Sequence, residues 1–415
     1  MKLIKAFKLL KRAKTILTIA VAVIMIVQPL SILSFALGMT DSTSINNSDQ
    51  IVIGNGVLFD ADVDLGLDCK SALLMEAKTG TVLYEQNADE ALPPASVTKI
   101  MTLLLVMEAV DSGKIKLDDM VTTSANAASM GGSQVYLKEG EQMTVEDMIK
   151  CVVISSANDA AVALAEHIGG SEKGFVEMMN ERAAELGASN ARFENTNGLD
   201  DTVQNHVMSA RDIAIISREL ISHKKILEYS SIWMDTVRDG TFGLSNTNRL
   251  VRFYKGATGL KTGSTSKAKF CISATAERDG MSLICVILGS PTRDVRNAAA
   301  VSLLDWGFAN YAVFECEGQS MGNVGVIGGV KDICSVEFQS FSCVVPKGKL
   351  SEVKKTVSLE ESFPAPLKKG EKLGSITYSI GEQTIGSVDI VASETVEKIN
   401  YFQLLMRMTA RFLMI

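Results

Sequence analysis

The chain has 415 residues, 47% of them hydrophobic and 21% charged, and a formal net charge of -7. That length holds two domains once a targeting segment is set aside. An acidic chain without a basic block in its body excludes nucleic acid as the main partner.

The N-terminus departs from this average. Lys2, Lys5, Lys8, Lys11, Arg12 and Lys14 precede an apolar run from Ile16 to about Gly38. A basic stretch followed by an apolar one is the pattern of an export signal, expected here over residues 1–38. The run is also long enough to span a bilayer as a retained anchor. Both readings put the rest of the chain outside the cytoplasm. Residues 39–66 read as a polar linker and lead-in.

From Ser71 to Tyr84 the chain predicts a hairpin turning at Lys78-Thr79-Gly80. A helix apolar almost all round follows Pro94 and runs through Met101 to Met107, a pattern that requires burial on most sides. Further helices are expected at Val145–Ile154, Asp159–His167, Lys173–Leu186 and Ala210–Ile221. Strands follow at Phe270–Ala276 and Ser282–Leu288, then a closing helix at Arg293–Phe308. The order predicts an α+β class over residues 67–312: an antiparallel sheet flanked by helices.

Residues 313–392 change character. Short alternating stretches punctuated by Gly and Pro predict a small all-β domain, sandwich or barrel. The tail, 393–415, returns to helical spacing, with Asn400, Gln403, Arg407 and Arg411 on one polar stripe. Such an amphipathic helix fits a membrane surface; the competing reading is a helix docked on its own domain. The seven cysteines show no C-x-x-C spacing, and most sit in apolar runs where Cys behaves as a small hydrophobe. The three histidines, His167, His206 and His223, form no H-E-x-x-H pattern, and no metal or cofactor is expected.

Three segments carry chemistry. Ser96-Val97-Thr98-Lys99 puts a hydroxyl and an amine at i and i+3, on one helix face. A serine needs a base to act as nucleophile, and a desolvated lysine can be one. Ser156-Ala157-Asn158 lies between two predicted helices, where Asn158 or Asp159 could also serve as an N-cap. Lys261-Thr262-Gly263 precedes the strand pair. There a lysine and hydroxyl can hold a carboxylate, and a glycine lets substrate backbone approach. Each triplet alone is weak; Lys78-Thr79-Gly80 repeats the last one in a turn.

S-x-x-K, S-x-N and K-T-G in this order form the motif set of serine β-lactamases and penicillin-binding proteins, here with Ala157 at the middle position. With Asn197-Gly198-Leu199, His206, Ala210-Arg211-Asp212 and Asn246-Thr247-Asn248-Arg249-Leu250, the chain resembles a low-molecular-mass penicillin-binding protein. The type is the serine D-alanyl-D-alanine carboxypeptidase of the peptidase S11 family. The resemblance runs from about residue 68 to the C-terminus and includes Ala365-Pro366-Leu367-Lys368-Lys369-Gly370 and the amphipathic tail.

The resemblance implies that Ser96 attacks the carbonyl between the two terminal D-alanines of a peptidoglycan stem peptide, with Lys99 taking its proton. Ser156 relays a proton to the leaving D-alanine, Asn158 holds Lys99 and the substrate amide, and Lys261 and Thr262 bind the terminal carboxylate. The N–H groups of Ser96 and Ser264 form an oxyanion hole beside Gly263, and β-lactams acylate Ser96. The implied location is the extracytoplasmic face of the bacterial cytoplasmic membrane, held there by the tail helix. A β-lactamase or DD-endopeptidase of the same fold, or a silent cell-wall sensor, stays open. The extra β domain and the absence of a clear deacylating Glu after Ser156-Ala157-Asn158 weigh against the β-lactamase. The intact Ser96 and Lys99 weigh against the sensor. His206 reads as a fold residue rather than a base, Asp200-Asp201 as a solvated loop, and Arg293 and Arg296 have no placement.

Overall fold

The computed structural model describes residues 63–413 except Thr202. The expected export signal and most of the lead-in lie outside the described residues. Strands β1 (Ser71–Glu76) and β2 (Val82–Gln86) form the expected hairpin. A 3-10 turn, Ala95–Thr98, runs into helix α1 (Lys99–Asp111). Strands β3 (Met120–Thr122) and β4 (Gln142–Thr144) pair ahead of α2 (Val145–Ser155), α3 (Asn158–Gly169) and α4 (Glu172–Glu185). Helix α5 (Ala210–Ser222) starts on a capping box, in which Ser209 and Asp212 satisfy each other's backbone N–H. A hairpin absent from the sequence reading follows, β5 (Met234–Val237) with β6 (Phe242–Ser245).

Strands β7 (Ala257–Thr265), β8 (Lys269–Arg278) and β9 (Met281–Ser290) complete an antiparallel five-stranded sheet ordered β2-β1-β9-β8-β7. Helix α6 (Arg293–Asn310) closes it. Successive strand side chains point to opposite faces, so an apolar run on a central strand feeds two cores. On β9, Ile284, Val286 and Leu288 join the core shared with α1 to α5. Leu283, Cys285 and Ile287 join Leu303, Leu304 and Phe308 of α6 on the other face. Helix α1 is buried by α2, α3, α4, α5 and strand β7, which explains its all-round apolar sequence.

Beyond α6 the chain is β-structured. Strands β10 (Tyr311–Cys316), β11 (Gln319–Ile327), β12 (Ile333–Phe338), β13 (Phe341–Pro346), β14 (Val353–Leu359), β15 (Ser362–Pro364), β16 (Lys372–Ile380) and β17 (Gln383–Ala392) follow in order. They form a six-stranded sheet, β14-β16-β17-β12-β11-β15, and the two-stranded ladder β10-β13. Between these layers the Phe341 ring stacks on Tyr378 at 4.6 Å, and Phe314 packs beside both. Helix α7 (Tyr401–Leu413) begins where Asn400 and Gln403 exchange side chain to backbone hydrogen bonds. It is shorter than the helical spacing suggested, because Val396 is bonded to Leu367 as an extended bridge.

Candidate active site

Ser96 lies in the 3-10 turn rather than in the α-helix that the spacing predicts. Residues i and i+3 eclipse one another in a 3-10 turn, so the outcome for the side chains is the same. The Lys99 amine is 2.9 Å from Ser96 Oγ. It also lies 2.6 Å from Asn158 Oδ1 and 2.8 Å from the carbonyl of Asn197. The Asn158 amide is fixed in orientation, because its Nδ2 donates to the Gly131 carbonyl at 2.7 Å. Two of the three partners of Lys99 are therefore pure acceptors. A neutral amine has two N–H donors and one lone pair. With the donors committed to Asn158 and Asn197, the lone pair faces the hydroxyl of Ser96.

The electrostatics favour that neutral form. Lys99 is fully buried. Burial first, then the positive charge of Lys261, hold its pKa well below the ordinary lysine value, against the opposing carboxylate of Asp159. Lys261 is itself pushed down to about 7, by burial and then by Arg296. Its ammonium donates to Ser156 Oγ and to the Thr262 carbonyl, each at 2.8 Å. Helix α2 ends at Ser156 with φ +62°, a left-handed conformation that few non-glycine residues adopt.

Lys261, Thr262, Gly263 and Ser264 lie on β7, the edge strand, directly ahead of the expected strand pair, β8 and β9. An edge strand leaves one row of backbone groups unpaired, and this edge runs against the Ser96 turn. A Cβ on Gly263 would sit 2.8 Å from the Ser96 nitrogen and 2.9 Å from both the Pro94 carbonyl and the Val97 nitrogen. Only glycine fits there. Gly198 packs as closely on the same turn. At φ +83°, its Cβ would lie 1.9 Å from the carbonyl of Ala95, itself strained at φ +50°.

His206 holds this turn from below. Its Nδ1 accepts the N–H of Glu194 at 3.0 Å, so the ring proton is on Nε2, 2.7 Å from the Thr98 hydroxyl. That hydroxyl donates to the Ala95 carbonyl at 2.8 Å. Burial lowers His206 to about 4, and the neutral ring is a fold residue. Neither Asn158 nor Asp159 caps α3, whose N-cap is Ala157 without a side-chain bond. The Asp159 carboxylate instead accepts the N–H groups of Val135 and Leu137, fixing the loop whose Ser133 carbonyl accepts the Asn158 N–H. Asp200, expected in solvent, accepts a 2.5 Å hydrogen bond from the Thr265 hydroxyl.

Ser96, Ser156, Thr262, Gly263 and Ser264 line one cavity of about 290 Å³. A family model described as D-alanyl-D-alanine carboxypeptidase matches residues 60–292, and one for the penicillin-binding protein 5 C-terminal domain matches 314–398. D-alanyl-D-alanine carboxypeptidase DacF of Bacillus subtilis is 41% identical over 351 residues, 83% of this chain and 90% of that protein.

The chain belongs to the peptidase S11 family of D-alanyl-D-alanine carboxypeptidases.

Among solved structures of this kind, penicillin-binding protein 5 of Haemophilus influenzae superposes with a TM-score of 0.73 at 33% identity, covering 81% of this chain and 99% of that one. Penicillin-binding protein D2 of Listeria monocytogenes, in its ampicillin-bound form, gives a TM-score of 0.55 at 33% identity over 59% of this chain and all of that one. For this S11 chain, sequence reasoning missed the Asn197 carbonyl, Ser133, Thr247 and Arg249. It left Arg293 and Arg296 unplaced, although all but Asn197 line the cavity. No local spacing signals them together, since Ser133, the Thr247–Arg249 segment and the start of α6 are far apart along the chain.

Proposed function

We propose that this chain removes the terminal D-alanine from peptidoglycan stem peptides through an acyl-enzyme on Ser96. The observation that carries the reading is the fully buried Lys99, with two hydrogen bonds to pure acceptors and its remaining valence on Ser96 Oγ. Lys99 takes the Ser96 proton as Oγ attacks the carbonyl between the two D-alanines. The N–H groups of Ser96 and Ser264 receive the oxyanion, an effect worth about 3–4 kcal/mol per donor. Ser156 passes a proton to the departing D-alanine nitrogen, the C–N bond breaks, and water then hydrolyses the ester. Lys261 and Thr262 hold the terminal carboxylate, and Asn158 positions Lys99 and the substrate amide. The reaction calls on no metal or cofactor, and β-lactams enter the same path as covalent inhibitors.

The substrate lies outside the cytoplasm, and we assign the enzyme to the outer face of the cytoplasmic membrane. Helix α7 supports attachment by lying in the membrane surface. Tyr401, Phe402, Met406 and Phe412 are each more than 60% exposed, while Arg407 is paired with Asp332 at 2.7 Å and with the Val330 carbonyl. No helix among the described residues is long and apolar enough to cross a membrane.

The test is fluorescent-penicillin labelling of the folded protein, with D-alanine release from a peptide ending in D-Ala-D-Ala. Wild type labels and releases D-alanine; Ser96→Ala does neither. A folded wild type that does neither refutes the reading, and labelling of Ser96→Ala moves the nucleophile elsewhere. Rapid hydrolysis of the adduct identifies a β-lactamase.

A further inference from the structure

The cavity holds more positive charge than one carboxylate needs. Besides Lys261, Arg249, Arg293 and Arg296 line it. Arg296 is buried, and its guanidinium meets only neutral acceptors, Asn297 Oδ1 at 2.8 Å and the Cys271 carbonyl at 3.3 Å. Among the described residues, neither Arg249 nor Arg293 has an ion pair or side-chain hydrogen bond. The nearby acid, Asp294, is exposed beside Arg293 and has the weakest influence on Arg296 of the groups around it. The accumulation is local, since the whole chain carries a net charge of -7.

The cations are also ordered. Lys99 is depressed by Lys261, Lys261 by Arg296, and Arg296, to about 10, by Arg293 and Arg249 after burial. Arg249, Arg293 and Arg296 line the same cavity as Thr262 and as Ser156, the residue that meets the departing D-alanine in the reading above. A D-alanine offers one carboxylate, which the reading above gives to Lys261, and otherwise only a methyl group. That leaves the exposed Arg249 and Arg293 without a partner in the one cavity, about 290 Å³ in all, that also holds Ser96, Ser156 and Thr262.

We propose that Arg293 and Arg249 form a second carboxylate site on the leaving-group side, so that a terminal D-residue with an acidic side chain, such as D-glutamate, is released in preference to its neutral isostere. The idea rests on the DD-carboxypeptidase reading above and adds a substrate class to it. The chemistry is unchanged: the same amide bond breaks, and the released residue takes the proton from Ser156.

The experiment measures kcat/KM on three peptides with one acyl part, ending in D-Ala-D-Ala, D-Ala-D-Glu and D-Ala-D-Gln, with the full chain in detergent. The expected D-Glu to D-Gln ratio in wild type is about two- to fivefold, the scale of one exposed charge pair. Arg293→Gln lowers the ratio towards one, and Arg293→Glu takes it below one. Because the ratio is read within each variant, loss of folded enzyme cannot imitate the result. A wild-type ratio of one or less, a ratio unmoved by both Arg293 variants, or cleavage of D-Ala-D-Ala alone overturns the second site. Failure to cleave D-Ala-D-Ala itself refutes the carboxypeptidase reading instead.

Discussion

Around the cleft, Lys99, Asp159, Lys261 and Arg296 are all buried, and Ala95 and Ser156 sit at positive φ. The core of the C-terminal β region is instead built from Val336, Phe338, Val345, Ile376, Ile390 and similar side chains, with the Tyr378 ring stacked on Phe341. Buried charges and strained backbone cost free energy and persist only where surrounding structure over-determines them. The apolar core needs no such support, because burial of each side chain is favourable by itself. The cleft therefore trades stability for a buried lysine of lowered pKa, and the β region does not.

Four measurements can break or sharpen that contrast, taken from the largest effect on acylation to the smallest. Lys99→Met keeps the shape of the chain but removes the base; the rate of penicillin acylation falls about 10²–10⁴-fold with the circular dichroism unchanged. A smaller loss would mean that another group takes the Ser96 proton. Gly263→Ala drives a Cβ into three backbone atoms of the Ser96 turn. Acylation falls at least about tenfold and thermal unfolding reports a loss of about 1–3 kcal/mol; an unaltered rate would show that β7 can withdraw freely.

The third concerns pH. Lys99 must be neutral to act, and the charge of Lys261 helps to keep it so. Acylation therefore rises with pH through a midpoint well below the ordinary lysine pKa. Removing the Lys261 charge raises the Lys99 pKa, so in Lys261→Gln the acid limb moves to higher pH. A pH-rate profile of both proteins checks the sign, and a limb that stays put or moves down contradicts the coupling. Last, Ile376→Ala opens a cavity in the β core and costs about 2–5 kcal/mol of stability, read from denaturant unfolding. Acylation at 25 °C stays within about twofold. Loss of both together would mean that the two regions are energetically one.

Much of this was legible before the fold. Ser96 and Lys99 meet because helical geometry is local, and the i,i+3 relation survives the exchange of an α-helix for a 3-10 turn. The alternating strands β12, β13, β16 and β17 were readable for the same reason, since period-2 burial needs only a few neighbouring residues. Asp159 was misread as a possible cap because local rules offer it the first turn of α3. The loop at Val135–Leu137 supplied better-placed donors that no local pattern reveals.

By itself, the sequence determined which residue types could do acyl transfer, and that a buried helix would carry the lysine. Tertiary structure alone decided what lowers the pKa of that lysine. Its second acceptor is the carbonyl of Asn197, 98 residues along the chain, and the cation that depresses it stands on an edge strand more than 160 positions away. Desolvation and Coulomb coupling depend on distance in space, and spacing along the chain does not encode that distance until the sheet and helices have closed around the site.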